Sequence, residues 1–390
     1  MLTPSDILVF DLETTIRAPA PHFGATPSWR GNRIVLAGFK TDQRDITVTD
    51  NLQELVNQIG PNTLIVGHNL GFDLHYLLRE FDIPKGVSLW DTQKFDYLLC
   101  GRGARQPSLE KTALRMEVDF TKDSEVSERF KVGIGSDKID RDLLTKYLVA
   151  DVQTTYDIYV KQRATVTNDA KLAYLQELMN GIAVTTEMSR NGMPFSRLGA
   201  AAEARELQAK HDGMYATAEA RWTREWPDEL PPLKLTSPAQ ITTLLWGGEQ
   251  TFDVQENVLD DTGQPIRFKT GTRAGEVKTK KVTRSVTVKR LASPALVAVF
   301  DNQDWEKTSS IQTLKRIIDT SPNCEAAELA RDLSALRQVT KNISTYFKPY
   351  IDHAIADTIH PVYNHCVTQT GRLSSSKPNM MNISGKESSQ

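Results

Sequence analysis

The sequence predicts two architectures in one chain: an α/β domain over residues 1–165, then a mostly helical region. Three observations lead there. In the first part short apolar runs alternate with amphipathic stretches, as in a sheet covered by helices. From Asp169 onward apolar residues recur at the three- and four-residue spacing of helices. A chain of 390 residues also exceeds what one hydrophobic core usually serves, so two or three domains are expected.

Each element follows from its own residues. ILVF at 7–10 is uninterruptedly apolar, as in a central strand buried on both faces. RIVLAGFK (33–40) and DITVT (45–49) read as strands joined by the turn-like TDQR. NLQELVNQI (51–59) reads as a helix and TLIVGHN (63–69) as a second buried strand. DLHYLLREF (73–81) sets Leu74, Leu77, Leu78 and Phe81 on one side of an amphipathic helix. A strand at VSLWDT (87–92) and helices from Gln93, Pro107 and Asp140 complete the domain. The long helix that follows stops at Asn191-Gly192, a C-cap signal, and a second runs from Ser196 to Trp226, ending before Pro227. Residues 250–290 have another texture, rich in Thr, Val and Gly, with nine Lys/Arg against one Glu between 267 and 290: a β-ribbon or a mobile loop. Helices resume at 309–320 and 324–347, and no internal repeat is visible.

With 39% hydrophobic and 25% charged residues the composition is that of a soluble globular protein. No apolar run approaches the ~20 residues of a membrane helix, and the N-terminus lacks a basic segment ahead of its apolar one. Cys100, Cys324 and Cys366 fit no disulfide or metal spacing, so a reduced, cytoplasmic setting is expected. A net charge of -2 argues against blanket attraction to nucleic acid, though it can conceal a basic surface beside an acidic site.

The acidic residues are placed where chemistry could use them. Asp11 and Glu13, two apart on a strand, share a face and can meet one cation. Asp73 stands where a second apolar strand gives way to a helix, and Tyr147 and Asp151 stack at i and i+4. Singly, each acid reads as a cap or a surface charge. Converged by a sheet, four carboxylates would repel one another and raise their own pKa values unless cations were bound. Mg²⁺ takes such oxygen ligands, and two ions can activate a water and stabilise the leaving oxygen of a phosphodiester. His68 and His75 flank the second motif in no ligand spacing and read as structural, and Gly133–Gly135 as a plain loop.

D-x-E on a buried strand, N-x-x-x-D after another and Y-x-x-x-D on a late helix, in that order, resemble the three motifs of DnaQ-like 3′–5′ exonucleases, whose domain is an RNase H-like α/β fold. The resemblance implies two Mg²⁺ (or Mn²⁺) ions. Asp11 would bridge both, Glu13 and Asp151 would complete the nucleophile side, and Asp73 would hold the leaving-group ion through water. Tyr147 would orient the attacking water, and Asn69 and Thr14 would help seat the terminal nucleotide. Lys146 stands where a histidine would mark the other subclass.

The second half resembles another family. TGRLSSSKPNMMNI (370–383) matches T-G-R-x-S-S-x-x-P-N-x-x-N-I, which in A-family, polymerase I-like DNA polymerases enters the palm from the thumb. There Thr370, Arg372, Asn379 and Asn382 would lie along the minor groove of a primer–template, where acceptor positions are alike for every pair. Met381 and Ser384 depart from the family's usual Gln and Pro. LRQVTKNISTYFKPYID resembles a thumb helix with Lys341, Ser344 and Thr345 at phosphates. LPPLKLTSPAQITTLLWGG resembles the start of the thumb, and TEMSRNGMPFS the helix connection after the exonuclease. The implied plan is an exonuclease domain (1–165), connecting helices (166–235), a thumb (236–348) with a basic insertion at about 250–299 of the kind seen in phage-type members, and an incomplete start of a palm (349–390). Over 250–299 the resemblance lapses, and the basic segment reads equally as a solvated hairpin or a DNA-backbone contact.

After Asp357 the sequence contains no aspartate, whereas A-family synthesis needs two palm aspartates and a basic fingers helix. The phage-type reading also goes with no 5′-nuclease domain ahead of Asp11. The expectation is therefore a proofreading 3′–5′ exonuclease and primer–template-binding portion of an A-family DNA polymerase, in the cytoplasm (a host's, if viral). Its partners would be a single-stranded 3′ end, duplex DNA and a second polypeptide supplying the rest of the palm and the fingers. Two alternatives stand beside it: an RNase D-type exoribonuclease, and an inactive exonuclease fold serving as a DNA clamp.

Overall fold

The first apolar run lies in the central strand of a five-stranded sheet. In the computed structural model, which describes residues 6–17, 24–100, 106–120 and 124–383, strand β1 (Asp6–Thr14) buries Leu8, Val9 and Phe10 almost completely. Strands β2 (Ile34–Thr41) and β3 (Arg44–Thr49) continue from it as an antiparallel meander. After helix α1 (Leu52–Val56), strand β4 (Thr63–Gly67) returns to the other side of β1 and runs parallel to it. Helix α2 (Leu70–Glu80) crosses to β5 (Ser88–Asp91), which pairs parallel with β4. The order β3-β2-β1-β4-β5 leaves β1 in the middle, where its apolar run Ile7–Phe10 is expected.

Helices α3 (Thr92–Cys100), α4 (Leu109–Arg115) and α5 (Ser124–Lys131) precede the long α6 (Arg141–Ala164). Asp140 caps α6, accepting from the Asp142 and Leu143 amides. Leu148 and Val152 of α6 lie against the sheet at Gly38, where a Cβ would come within 2.7 Å of Leu148 Cγ and 3.1 Å of Val152 Cγ2. Only glycine allows the helix that close. Trp90 on β5 stacks on Phe95 at 4.9 Å and donates to Gln162 Oε1 at 3.0 Å, tying α6 to the sheet's far edge. Helix α7 (Asp169–Asn191) then packs along α2 and β5 and ends at Gly192, whose φ of 66° suits glycine.

The chain divides into two compact units, Met1–Ala200 with Lys348–Gln390, and Ala201–Phe347. In the first, β6 (Met193–Pro194) starts a small antiparallel sheet. Helix α8 (Arg197–Trp222) leads into the second unit. There α9 (Pro238–Trp246), strands β7 (Gly248–Asn257) and β8 (Thr279–Val288), and helices α10 (Pro294–Asn302), α11 (Ile311–Thr320) and α12 (Glu325–Asn342) follow. The core is built on Trp222, Ile241, Leu244, Leu296, Phe300, Leu314, Ile317 and Leu333. Ser237-Pro238 and Ser293-Pro294 open α9 and α10, the serine capping and the proline fitting a first turn that needs no N–H. A π-helical turn, Ile343–Phe347, closes the unit.

Back in the first unit, α13 (Lys348–His353) precedes β9 (Ala354–Ile355) and β10 (Thr358–Ile359), and β10 pairs with both β9 and β6. Strands β11 (Val362–Asn364) and β12 (Ser374–Ser376) form a hairpin around the TGR segment. No helix among the described residues is long and apolar enough to cross a membrane.

Candidate active site

The carboxylates predicted from the sequence come together. β1 carries Asp11 and Glu13 opposite Gly38 and Leu36 of β2. Asp73 sits in the first turn of α2 and is 4% exposed; the Leu12 N–H interacts with its carboxylate as well as with that of Asp11, which draws Asp73 against β1. Asp151 and Tyr147 reach the same place from α6, the helix that Gly38 admits, and the Tyr147 hydroxyl hydrogen-bonds Asp151. The Tyr147 ring is held edge-on to Phe130 of α5 at 6.0 Å.

Burial and mutual repulsion set the electrostatics. Burial, followed by the charges of Asp73, Asp151 and Glu13, raises the Asp11 carboxyl well above its ordinary range. Burial pushes Glu13 up to about 8; the Ser136 hydroxyl, donating at 2.8 Å, pulls it back, and Asp151 adds to the rise. Asp73 is also raised by burial, against the pull of the Leu12 and Asp73 amides and with the charges of Glu13 and Asp91. The Tyr147 phenol is raised by burial and then by Asp151, Glu13 and Asp11, so it stays protonated across any working pH. Among the described residues no three His, Cys, Asp or Glu side chains form a ready-made metal cage. The four carboxylates nevertheless share one electrostatic site of hard oxygen donors, which suits a divalent cation.

Two supports of this site were not anticipated. Gly133–Gly135, expected to be a plain loop, leads into a short 3₁₀ turn (Ser136–Lys138) that presents Ser136 to Glu13. A Cβ on Gly135 would lie 2.6 Å from the Ile16 amide nitrogen, so the close approach to β1 requires glycine. The other support is Asp91, 5% exposed at the end of β5. Its carboxylate accepts from the amides of Asn69 (3.1 Å), Leu70 (3.0 Å), Gln93 (2.9 Å) and Lys94 (3.2 Å), pinning the start of α2, and hence Asp73, to β5. An aspartate at a strand–helix junction followed by Thr-x-Lys was the signal available in the sequence.

Thr14 is buried beside Tyr76, whose hydroxyl donates to the Ala25 carbonyl at 2.9 Å. Asn69 is exposed at a left-handed φ of 60° and borders a cleft of about 200 Å³ with Gln93, Thr185, His360 and Asn364. His68 bridges Thr92 Oγ1 (2.9 Å) and the Pro107 carbonyl (3.1 Å). His75 is buried and held to a low pKa of about 4 by burial and by the neighbouring His360, Arg79 and Arg190.

The residues expected at duplex DNA lie apart from the carboxylates in the chain. Lys341 and Ser344 line a groove of about 390 Å³ in the second unit with His211, Tyr215 and Arg337, and Thr345 falls in the adjoining π-turn. In the TGR segment Thr370, Arg372 and Asn382 are exposed, and the Arg372 guanidinium has no partner among the described residues. Asn379 has a structural role as well: its side chain caps the turn at Met380–Asn382, accepting from the Met381 amide at 3.0 Å. Ser384 and the terminal GKESSQ lie outside the described residues.

Comparison with known proteins finds a family likeness over part of the chain and a likeness of fold over most of it. Residues 272–390 match the family model described as DNA polymerase family A. That match begins inside the 250–299 stretch where the sequence resemblance lapses, so β8 and α10 belong to the family-like part. No curated protein matches. Among solved structures, the chain is similar to the POL domain of Pol1 from M. smegmatis in complex with DNA primer-template and dNTP, with a TM-score of 0.59 and 15% identity. The likeness covers 98% of this chain and 53% of that one, so the chain spans about half the length of its structural relative. The family likeness is confined to residues 272–390, and the likeness of fold extends over nearly the whole chain.

Proposed function

We propose that this chain is the proofreading 3′–5′ exonuclease and primer–template-holding portion of a phage-type A-family DNA polymerase, its first domain an RNase H-like, DnaQ-like exonuclease. The observation that carries the reading is the convergence of Asp11, Glu13, Asp73 and Asp151 with Tyr147 in one mutually repelling cluster, Glu13 and Asp73 buried and the other three half-buried. Repulsion of that kind is relieved by divalent cations, and the four carboxylates would hold two Mg²⁺ or Mn²⁺. When bound, such ions activate water and neutralise charge on the phosphodiester. Tyr147, protonated and hydrogen-bonded to Asp151, orients the attacking water. Ser136 fixes the Glu13 carboxylate, and Asn69 and Thr14 seat the terminal nucleotide. Water's oxygen bonds to phosphorus, the bond from phosphorus to the penultimate O3′ breaks, and a nucleoside 5′-monophosphate leaves with a new 3′-hydroxyl on the strand. The exposed Arg372, with Thr370, Asn379, Asn382 and the Lys341–Thr345 turn, would grip the duplex.

The test is hydrolysis of single-stranded DNA with Mg²⁺. Asp11→Ala or Asp151→Ala is expected to lower the rate by several orders of magnitude, and Tyr147→Phe by less, since it disturbs only water orientation. Undiminished hydrolysis by the Asp11 variant, or in excess EDTA, would overturn the assignment. Faster hydrolysis of RNA than of DNA would move it to an exoribonuclease.

A further inference from the structure

The chain leaving β1 is fixed more firmly than its place at the edge of the acidic cluster requires. Thr15 is completely buried; its amide donates to the Arg33 carbonyl at 2.9 Å, and its hydroxyl accepts from the Arg33 amide at 2.9 Å. Two residues on, the Arg17 amide donates to Asn32 Oδ1 at 2.7 Å. Asn32 is itself completely buried, and its Nδ2 donates to the Gly24 and Thr26 carbonyls at 2.9 and 3.0 Å. The Arg17 backbone is therefore held four residues after Glu13, while its guanidinium is half-exposed.

That guanidinium donates to Asp137 Oδ2 at 2.8 Å, bridging residues 120 apart in the chain. Asp137 follows Ser136 in the 3₁₀ turn, and Ser136 donates to Glu13 Oε2 at 2.8 Å. On the other side of Ser136, Gly135 lies against the Ile16 amide, and a Cβ there would also come within 3.0 Å of Asp137 Oδ1. Ser136 is thus bracketed by two contacts with the exit of β1. The hydrogen bond from Arg17 holds the Asp137 carboxyl below its ordinary value, so the pair stays ionised at neutral pH. An ion pair with one half-exposed partner adds little to stability. A serine hydroxyl, however, rotates to suit its surroundings, so its aim depends on how well the backbone beneath it is fixed.

We infer that Arg17 and Asp137 are positioning residues for the candidate active site: their ion pair sets the Ser136 hydroxyl, which fixes the Glu13 carboxylate for a divalent cation. The inference rests on the reading of the acidic cluster as a cation site. Partners that orient a metal ligand commonly govern affinity and rate as strongly as some ligands do. The latch acts only through Ser136, and this separates it from a general fastening of the loop.

Binding of Mn²⁺ to the full chain, without DNA, is followed by loss of the electron paramagnetic resonance signal of the free ion. Arg17→Gln and Asp137→Asn are each expected to weaken binding by about 10- to 100-fold. Asp137→Asn preserves shape and serves if Arg17→Gln folds poorly. Ser136→Ala should weaken binding at least as much. Combining it with Arg17→Gln should add nothing, because both act through one hydrogen bond. Arg17→Lys, which keeps the charge, should recover part of the loss. Arg141→Gln removes the exposed Arg141–Asp50 pair (2.9 Å) of the same domain and should bind like the wild type. In hydrolysis of single-stranded DNA, the Arg17 and Asp137 variants should lose kcat with KM unchanged. Wild-type Mn²⁺ affinity in both variants, or losses that multiply when Arg17→Gln and Ser136→Ala are combined, would overturn the proposal. Asp11→Ala separates the two readings. If it hydrolyses DNA normally while Arg17→Gln still weakens Mn²⁺ binding, the exonuclease reading fails and the latch stands; an inert Asp11→Ala beside an Arg17→Gln that binds Mn²⁺ normally means the reverse.

Discussion

Replacing Glu13 by Gln should remove a pH-dependent instability that the acidic cluster builds into the metal-free protein. Glu13 is 6% exposed, and its folded-state pKa is raised from 4.5 to about 8. A carboxyl raised on folding contributes stability that is complete below its unfolded value and is lost as the pH climbs through its folded value. The lower part of that window is shared with His75 and His365. Both are depressed to about 4 by burial, so their contribution is present above 6.5 and is lost as the pH falls. Between pH 6.5 and 8 the histidines are flat and Glu13 dominates the difference between the two proteins. At about 1.4 kcal/mol per pH unit, that interval is worth about 2 kcal/mol. Urea denaturation of both proteins in EDTA across this range would measure it. The wild type should lose about 2 kcal/mol more than Glu13→Gln, which keeps the Ser136 hydrogen bond but carries no charge. Asp11 and Asp73, raised in the same direction mainly by burial, leave a residual decline in both proteins, smaller in Glu13→Gln because the Glu13 charge is among the causes of each rise. Saturating Mg²⁺ should flatten the wild-type curve by binding only the folded state. Equal declines in the two proteins, or a wild type that gains stability over the interval, would refute the reasoning.

Other consequences follow from single contacts. Gly38→Ala places a Cβ 2.7 Å from Leu148 Cγ and should cost about 1–3 kcal/mol by denaturation. Because Tyr147 and Asp151 ride on the displaced helix, hydrolysis should fall even in protein that remains folded. Asp91→Ala deprives four amides of their acceptor and should destabilise by about 1–3 kcal/mol, with faster hydrogen exchange at Asn69 and Leu70. Arg372→Ala should weaken duplex binding and lower the salt slope by about 1, measured by anisotropy, with single-strand hydrolysis unchanged.

The strands and long helices were legible because each obeys one period. β1 opens with the unbroken apolar run Ile7–Phe10, α2 repeats at three and four residues, and α7 stops at a glycine with positive φ. The acids were legible from their local spacing: two apart on a strand, one at a strand–helix junction, and one four residues after a tyrosine on a helix. What escaped was whatever depends on tertiary contact. In α5, SEVSERFK offers only Val126 and Phe130 as apolar anchors, too few to show a period. Helices α9 and α10 are short, and their Ser-Pro openings were the only local sign of a start. Ser136 is one serine among many until its loop is folded onto β1. Asp91 reads as the end of a strand until the two helix starts it caps are brought beside it. Gly38 sits inside a good strand pattern, and its value depends on a helix that begins about a hundred residues later.

The most direct measurement is the product ladder from a single-stranded oligonucleotide labelled at its 5′ end, read in parallel for the wild type and Asp11→Ala, with the released species identified by mass spectrometry. The account predicts a ladder shortened one nucleotide at a time from the 3′ end, nucleoside 5′-monophosphates as the only small product, and an intact oligonucleotide with Asp11→Ala. Shortening from the 5′ end, internal cleavage, or the same ladder from both proteins would contradict it.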